Sequence, residues 1–199
     1  GSQHIAIPVA CITDRDIMPD CAPNILGYTD SPKRKWRKES DDMESLQKKI
    51  DSKLINDGQN VKTFISNKWT FEYDLAYHGL CHEVFCAFVL ADKDEFLHSG
   101  KLNRSDVFRS AMSSCPNDAS QERRSTNVYA YLKKNNISKS IAAQYLSEIL
   151  EEMVKCKKLS AQSFENILPP YIVQAIKYVT QNEPGAVHEC INFSDSCDY

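Results

Sequence analysis

Hydrophobic and polar positions along this chain fall into short unbroken apolar runs near the start and helical spacings thereafter. Ile5 to Thr13 is apolar almost throughout, with β-branched residues at alternate positions, and stops at Asp14-Arg15-Asp16. Such a run reads as a buried parallel strand, with Pro8 near its start or at an edge. Residues 17–38 hold four prolines or glycines and no period, which predicts a long loop. From Glu39 to about Asp57, Met43, Leu46, Ile50 and Leu54 recur at spacings of three and four, an amphipathic helix closed by Gly58. Asn60 to Ser66 reads as a second short strand. A long helix from Phe71 to about Ala91 follows, with Leu75, Gly79, Val84 and Ala87 among its inner positions.

Residues 92–120 are mixed, with a short helix around Ser105 to Met112 and a break at Cys115-Pro116-Asn117. Gln121 to Lys134 suits another helix. Ile141, Ala142, Tyr145, Leu146, Ile149 and Leu150 mark a helix opened by Ile137-Ser138-Lys139. Pro169-Pro170 opens the last one, through Ile172, Ala175, Ile176 and Val179. Two strands among mostly helices make an incomplete α/β sheet. Either further strands lie in 92–120 and 183–195, or the sheet begins upstream of Gly1.

Composition narrows the function classes. With 42% hydrophobic and 26% charged residues the chain has globular proportions, and its apolar stretches are too short for a bilayer span. The first residues show no secretory signal, and the eight cysteines contain no CxxC pair, so reduced thiols in a cytoplasmic protein are expected. The net charge of −3 argues against nucleic-acid binding by bulk electrostatics. However, Lys33-Arg34-Lys35-Trp36-Arg37-Lys38 packs five cations around an indole, a cluster able to track a phosphate backbone and stack on a base, or simply to be solvated.

Three constellations carry chemistry. Asp14 and Asp16 follow a strand, and period-two alternation would put both carboxylates on one side, a hard oxygen site for Mg²⁺ or Mn²⁺. The alternative is an acidic turn countered by Arg15. Thr70-Phe71-Glu72-Tyr73-Asp74 follows the second strand: Thr70 fits a helix N-cap and Glu72 and Asp74 suit the first turn, yet parallel strands deliver both acidic clusters to one crevice. Lys139 opens a helix against the dipole, which invites a phosphate-contacting role beside the plainer one of a surface lysine. His78, Cys81, His82 and Cys86 have zinc-ligand spacings but sit among core residues. There is no G-x-x-x-x-G-K-[ST] loop and no G-x-S-x-G elbow, so metal-directed phosphoryl transfer fits better than a protein nucleophile.

The segments Ile7 to Asp16, Thr70 to Ala76, Ser138 to Ala142 and Leu168 to Ile172, in this order and at these intervals, resemble the carboxy-terminal region of OLD (overcoming lysogenization defect) family endonucleases, which carries a Toprim domain, the topoisomerase-primase metal-binding fold. The resemblance runs from about Ile5 to Val179. It implies an α/β, Toprim-like parallel sheet flanked by helices with an additional helical lobe, in a fragment of a larger protein. Residues 1–100 would form the metal-binding core and 101–199 the mainly helical part completing the nuclease region. It further implies a two-metal, Mg²⁺- or Mn²⁺-dependent nuclease hydrolysing DNA phosphodiester bonds, with Asp14, Asp16, Thr70 and Glu72 as metal ligands and Lys139, Asp14 and Glu72 as catalytic residues. Its implied partners are DNA, an amino-terminal ABC-type ATPase domain of the parent chain and a UvrD-like helicase in phage defence, with homo-oligomerisation through the parent.

One departure matters. Toprim domains begin with a strand ending in a glutamate, and no residue here matches it; Glu39 and Glu44 follow the two aspartates and do not take its place. The fragment alone would then be inactive, which leaves a second reading: a catalytically incomplete Toprim-like module that binds DNA or protein. Primase- or topoisomerase-like chemistry is a third, though nothing identifies the tyrosine a topoisomerase needs.

Overall fold

Two strands and ten α-helices succeed one another in the computed structural model, which describes residues 7–29, 37–41, 43–55, 57–58 and 60–181. The result is a mixed α/β chain, mostly helical, with a small parallel sheet. Strand β1 (Val9–Thr13) pairs with β2 (Val61–Ile65), Val9 opposite Val61 and Thr13 opposite Ile65. A parallel register sends both carboxyl ends to the same edge of the sheet. There the Ser66 N–H donates to the Thr13 carbonyl at 2.9 Å and carries the pairing one residue further.

The crossover between the strands holds α1 (Ala22–Leu26) and α2 (Met43–Lys53). Loop 17–38 was expected to be structureless, but Pro23 in the first turn and Gly27 in a left-handed C-cap bound a short helix with buried Ala22 and Leu26. Helix α2 is shorter than its apolar spacing predicts. Leu46 is buried, whereas Met43 and Leu54 are exposed, so the apolar stripe finds a surface to cover only at its centre.

After β2 the chain enters α3 (Phe71–Leu75), a π turn (Ala76–Leu80) and α4 (Cys81–Asp92). The long helix expected from Phe71 to Ala91 is therefore broken in the middle. Leu75, Val84 and Ala87 are buried as expected, but Gly79 takes φ +141° inside the π turn, where a residue with a Cβ is strained. Helix α4 is apolar over most of its surface after His82 and Glu83, and its Val84, Phe85, Cys86, Ala87, Phe88 and Leu90 are all buried. Burying each large side chain of that set contributes about 1.5–3 kcal/mol.

Around α4 pack α6 (Arg104–Ser114), α7 (Gln121–Lys134) and α8 (Lys139–Lys155), with the small α5 (Asp94–His98) between α4 and α6 in sequence. Helices fill 92–120, so the strands considered there are absent among the described residues; 183–195 lies outside them. Helix α9 (Ala161–Ile167) escapes an apolar-spacing search because its seven residues are largely polar, although Ser160 and Ser163 close a capping box at its start. Helix α10 (Pro170–Gln181) lies on the sheet, with the Tyr178 and Phe64 rings 5.8 Å apart.

Strand β1 is not the buried strand its composition predicts. Val9 and Ile12 are 45% and 46% exposed, and Cys11 is exposed, because its packing comes chiefly from α10 on one side. Among the described residues no helix is long and apolar enough to cross a membrane.

Gly79→Ala tests the π turn. A Cβ there would stand 3.0 Å from the Ile167 Cβ at a backbone angle that disfavours it, so the variant should lose about 1–3 kcal/mol of stability in urea unfolding. An unchanged midpoint would contradict this geometry.

Candidate functional site

Strand β1 ends at Thr13, and the next residues are held by a single carbonyl. The Trp69 oxygen accepts the N–H groups of Arg15 and Asp16 at 3.0 and 3.1 Å, joining the two strand-end loops. The indole is buried against Tyr129 and Tyr73, with ring centroids 4.5 and 5.6 Å away. The Trp69 N–H donates to Asp74 Oδ1 at 3.0 Å and the Lys68 N–H to its Oδ2 at 3.2 Å. Asp74 is thus fully buried and pins the loop that presents the site, and burial raises its pKa against those two bonds. It is a scaffold residue more than a dipole partner.

The two aspartates of Asp14-Arg15-Asp16 point apart. Asp16 takes φ +59°, outside the extended conformation that strand alternation assumes, and its carboxylate turns to α2. There Lys53 Nζ lies 2.8 Å from Asp16 Oδ2 and 2.6 Å from the Asp14 carbonyl, and Lys49 Nζ lies 3.4 Å from Asp16 Oδ2. Burial pushes the Asp16 carboxyl up, but the two ammonium groups outweigh it and hold the pKa below its ordinary value. The expectation of two carboxylates on one side fails here because the strand ends too soon. These lysines also explain how α2 docks with so little apolar contact.

Asp14 turns the other way. Its Oδ1 accepts the Phe71 N–H at 2.9 Å, at the start of α3. Half-buried, it has a pKa raised by burial and by Glu72, against that bond and the Lys139 charge. Glu72, in the first turn of α3, gives Oε1 to Lys139 Nζ at 2.7 Å, while its Oε2 is buried with no hydrogen-bond partner among the described residues. Lys139 begins α8, whose first turn is capped by Ser138 Oγ accepting the Ile141 N–H. Its place against the helix dipole is thereby matched by a carboxylate from another element. Thr70 caps α3, its Oγ1 accepting the Tyr73 N–H at 3.3 Å, and is almost fully buried at the same edge.

Asp14, Thr70, Glu72 and Lys139 therefore meet from three parts of the sequence, and Asp16 stands beside them with its charge already answered. A cavity of about 440 Å³ opens here, lined by Asp14, Asp16, Thr70 and Tyr129. Arg37, Lys49, Lys133 and Lys139 also line it, so cations surround the carboxylates. Of the basic cluster, Arg37 reaches this cavity and Lys38 pairs its backbone with Met18; Lys33, Arg34, Lys35 and Trp36 lie outside the described residues. A larger groove of about 960 Å³, between α6 and α8, holds none of these acidic residues.

Two tyrosines escaped the sequence reading as site residues. Tyr129 and Tyr171 have their hydroxyl pKa raised first by burial; Glu72 and Asp14 contribute to both shifts. The Tyr171 hydroxyl has no partner among the described residues. In the sequence both look like core aromatics at helical spacing. Lys49 and Lys53 were equally hidden, as ordinary lysines on a polar helix face.

Among the described residues no three His, Cys, Asp or Glu side chains stand together as a metal set. His78 is half-buried with a pKa lowered by that burial, and His82 is exposed. Asp14 and Glu72 lie near one another, and the unpartnered Glu72 oxygen is of the chemical type that an oxygen-preferring divalent ion takes. Comparison with protein-family models, curated proteins and solved structures finds no match to this chain.

Asp14→Asn tests the electrostatics. Because the folded pKa lies above the ordinary 3.8, the folded chain binds this proton more tightly than the unfolded chain, and wild-type stability falls as pH rises through that interval. The variant escapes this loss, so its urea midpoint relative to wild type should rise as the pH climbs from below the ordinary 3.8 to above it. A relative midpoint that falls over the same range would contradict a raised Asp14 pKa.

Proposed function

We propose that this chain carries the phosphodiester-cleaving site of a divalent-metal-dependent DNA nuclease, of the OLD type with a Toprim-like core. The observation that carries the reading is the convergence of Asp14, Glu72 and Lys139 from the loop after β1, from α3 and from α8, with one Glu72 oxygen buried and unpartnered among the described residues. Carboxylates and a lysine at the carboxyl edge of a parallel sheet suit phosphoryl transfer, and the cavity's ring of cations suits a polyanion. Asp14 and Glu72 would hold Mg²⁺ or Mn²⁺, with Thr70 as the neighbouring oxygen donor. When bound, such an ion lowers the pKa of water and offsets charge on the leaving oxygen.

The chain's own groups divide the remaining tasks. Lys139, half-exposed and paired with Glu72, is free to exchange that carboxylate for a phosphate oxygen once Glu72 is otherwise engaged. Lys133 and Arg37 border the cavity and would orient the backbone on either side. Tyr129 keeps its proton because burial and the nearby carboxylates disfavour the phenolate, so it would donate to an anionic oxygen. Asp16 would join a two-metal arrangement only by exchanging Lys53 and Lys49 for a second ion, which makes it the least prepared of the four proposed ligands.

A second reading rests on that same observation. With Asp16 neutralised and no three metal-ligating side chains together among the described residues, a DNA-binding or protein-interaction module built on the same frame would need no catalysis. The ABC-type ATPase and UvrD-like helicase partners belong to the nuclease reading as proposals and rest on the family resemblance alone.

Nicking of supercoiled plasmid in Mn²⁺ separates the two readings. Assayed in a parent protein that supplies the upstream strand and its glutamate, the nuclease reading expects wild-type nicking, its loss in Asp14→Asn and Glu72→Gln, and a fall of about 100-fold in Lys139→Ala. Arg109→Ala, on exposed α6, should keep the wild-type rate. Equal rates in all variants would overturn the site, and DNA retention without nicking by any of them would favour the binding module.

A further inference from the structure

Away from the acidic edge, three thiols gather where the start of α4 faces the end of α6. Cys81 is 8% exposed, Cys86 is fully buried, and Cys115 is partly open to solvent. Cys115 follows α6 in an extended conformation, φ −56° and ψ +132°, and leaves the helix before Pro116. Its Sγ lies 3.9 Å from the Cys81 carbonyl oxygen. The Cys115 thiol thus donates to the backbone of Cys81, and each of the two side chains shifts the other's pKa. Cys86 Sγ is turned instead toward the Phe108 carbonyl, 4.0 Å away. All three are free thiols, and none takes part in the site described above.

The charges facing these sulfurs are Arg124 from α7 and Glu83 from α4. Arg124 is held in place by the Asp118 carbonyl, with Nη2 at 2.9 Å and Nε at 3.3 Å. A partly exposed thiol next to a second thiol and near a fixed guanidinium is the environment in which a cysteine becomes reactive.

We propose that Cys115 and Cys81 form an oxidisable dithiol that reacts with hydroperoxides and closes to a disulfide. The Cys115 thiolate attacks one peroxide oxygen and the O–O bond breaks. Hydroxide leaves and takes up a proton, and Cys115 becomes a sulfenic acid. The Cys81 sulfur then attacks the Cys115 sulfur, the S–O bond breaks, and the hydroxyl leaves with the Cys81 proton as a second water. Two thiols and one hydrogen peroxide give one disulfide and two waters.

Geometry assigns the roles. Cys115 is the most exposed of the three, and its pKa is lowered by the Cys81 side chain, against burial, with help from Arg124. Cys81 is its hydrogen-bonded neighbour and resolves the sulfenic acid. Cys86 is directed elsewhere, and burial pushes its thiol up to about 12, so it stays a spectator. The disulfide would tie α6 to the residue that immediately follows the π turn, on the same helical run as Glu72 and Asp74.

The test is peroxide treatment of the whole chain, alkylation of remaining thiols, and peptide mass mapping without reduction. The expected result is an intact mass lower by two hydrogens and a linked Cys81–Cys115 peptide, unchanged in Cys86→Ser. In Cys81→Ser, a dimedone adduct should accumulate on Cys115, with folding checked by circular dichroism. Linkage of Cys115 to Cys86, or Cys81 and Cys115 both still alkylated in the wild type when other cysteines have been oxidised, would overturn the proposal. So would a chain in which no cysteine reacts under peroxide that oxidises a reference dithiol peptide. The wild-type map alone decides if a variant fails to fold.

Discussion

The backbone of Trp69 is the joint on which the candidate site depends. Its carbonyl receives two N–H groups from the loop after β1, and its own N–H goes to a buried aspartate that belongs to α3. One residue thereby couples the ends of both strands to the start of a helix. Its indole, packed beneath Tyr129, carries the coupling on to α7. Buried backbone groups without partners cost roughly 1–3 kcal/mol each, so this cluster holds its shape only as a whole. The positions of Asp14 and Glu72 follow from it: Asp14 is fixed by the Phe71 N–H two residues beyond Trp69, and Glu72 comes next.

Charge is then distributed asymmetrically around the joint. Asp16 faces α2 and is matched by two lysines, whereas Glu72 is paired with Lys139 and the Asp14 carboxylate has no ion-pair partner among the described residues. The cavity's other cations border the pair without bridging to it. A carboxyl whose pKa is raised by burial, next to a carboxylate oxygen with no partner, stores unfavourable electrostatic energy that a bound cation would relieve. A two-metal arrangement would therefore have to displace lysines from both Asp16 and Glu72.

Much of the frame was legible in the sequence because its signals are local. The strand runs, the Thr70 cap and the apolar spacing of α8 and α10 all report on neighbouring residues. The parallel register then follows, and with it the shared edge where Asp14 and Glu72 meet. What was hidden depends on a break in periodicity or on distant partners. The positive φ of Asp16 ends the alternation that would have aligned it with Asp14. The π turn at Gly79 interrupts a helix whose spacing looks continuous, and the exposure of β1 depends on which elements cover it. Tyr129, Lys49 and Lys53 carry no sequence mark, and Tyr171 is marked only as part of the Leu168 to Ile172 segment, since an aromatic in a core or a lysine on a helix is the usual case.

On the nuclease proposal, Asp14 and Glu72 take up a divalent cation. Calorimetric titration of Mn²⁺ into the chain and its Asp14→Asn variant tests this without reference to catalysis. The expected result is binding to the wild type that the substitution removes. Equal binding by both proteins, or none by either, would rule the cation site out.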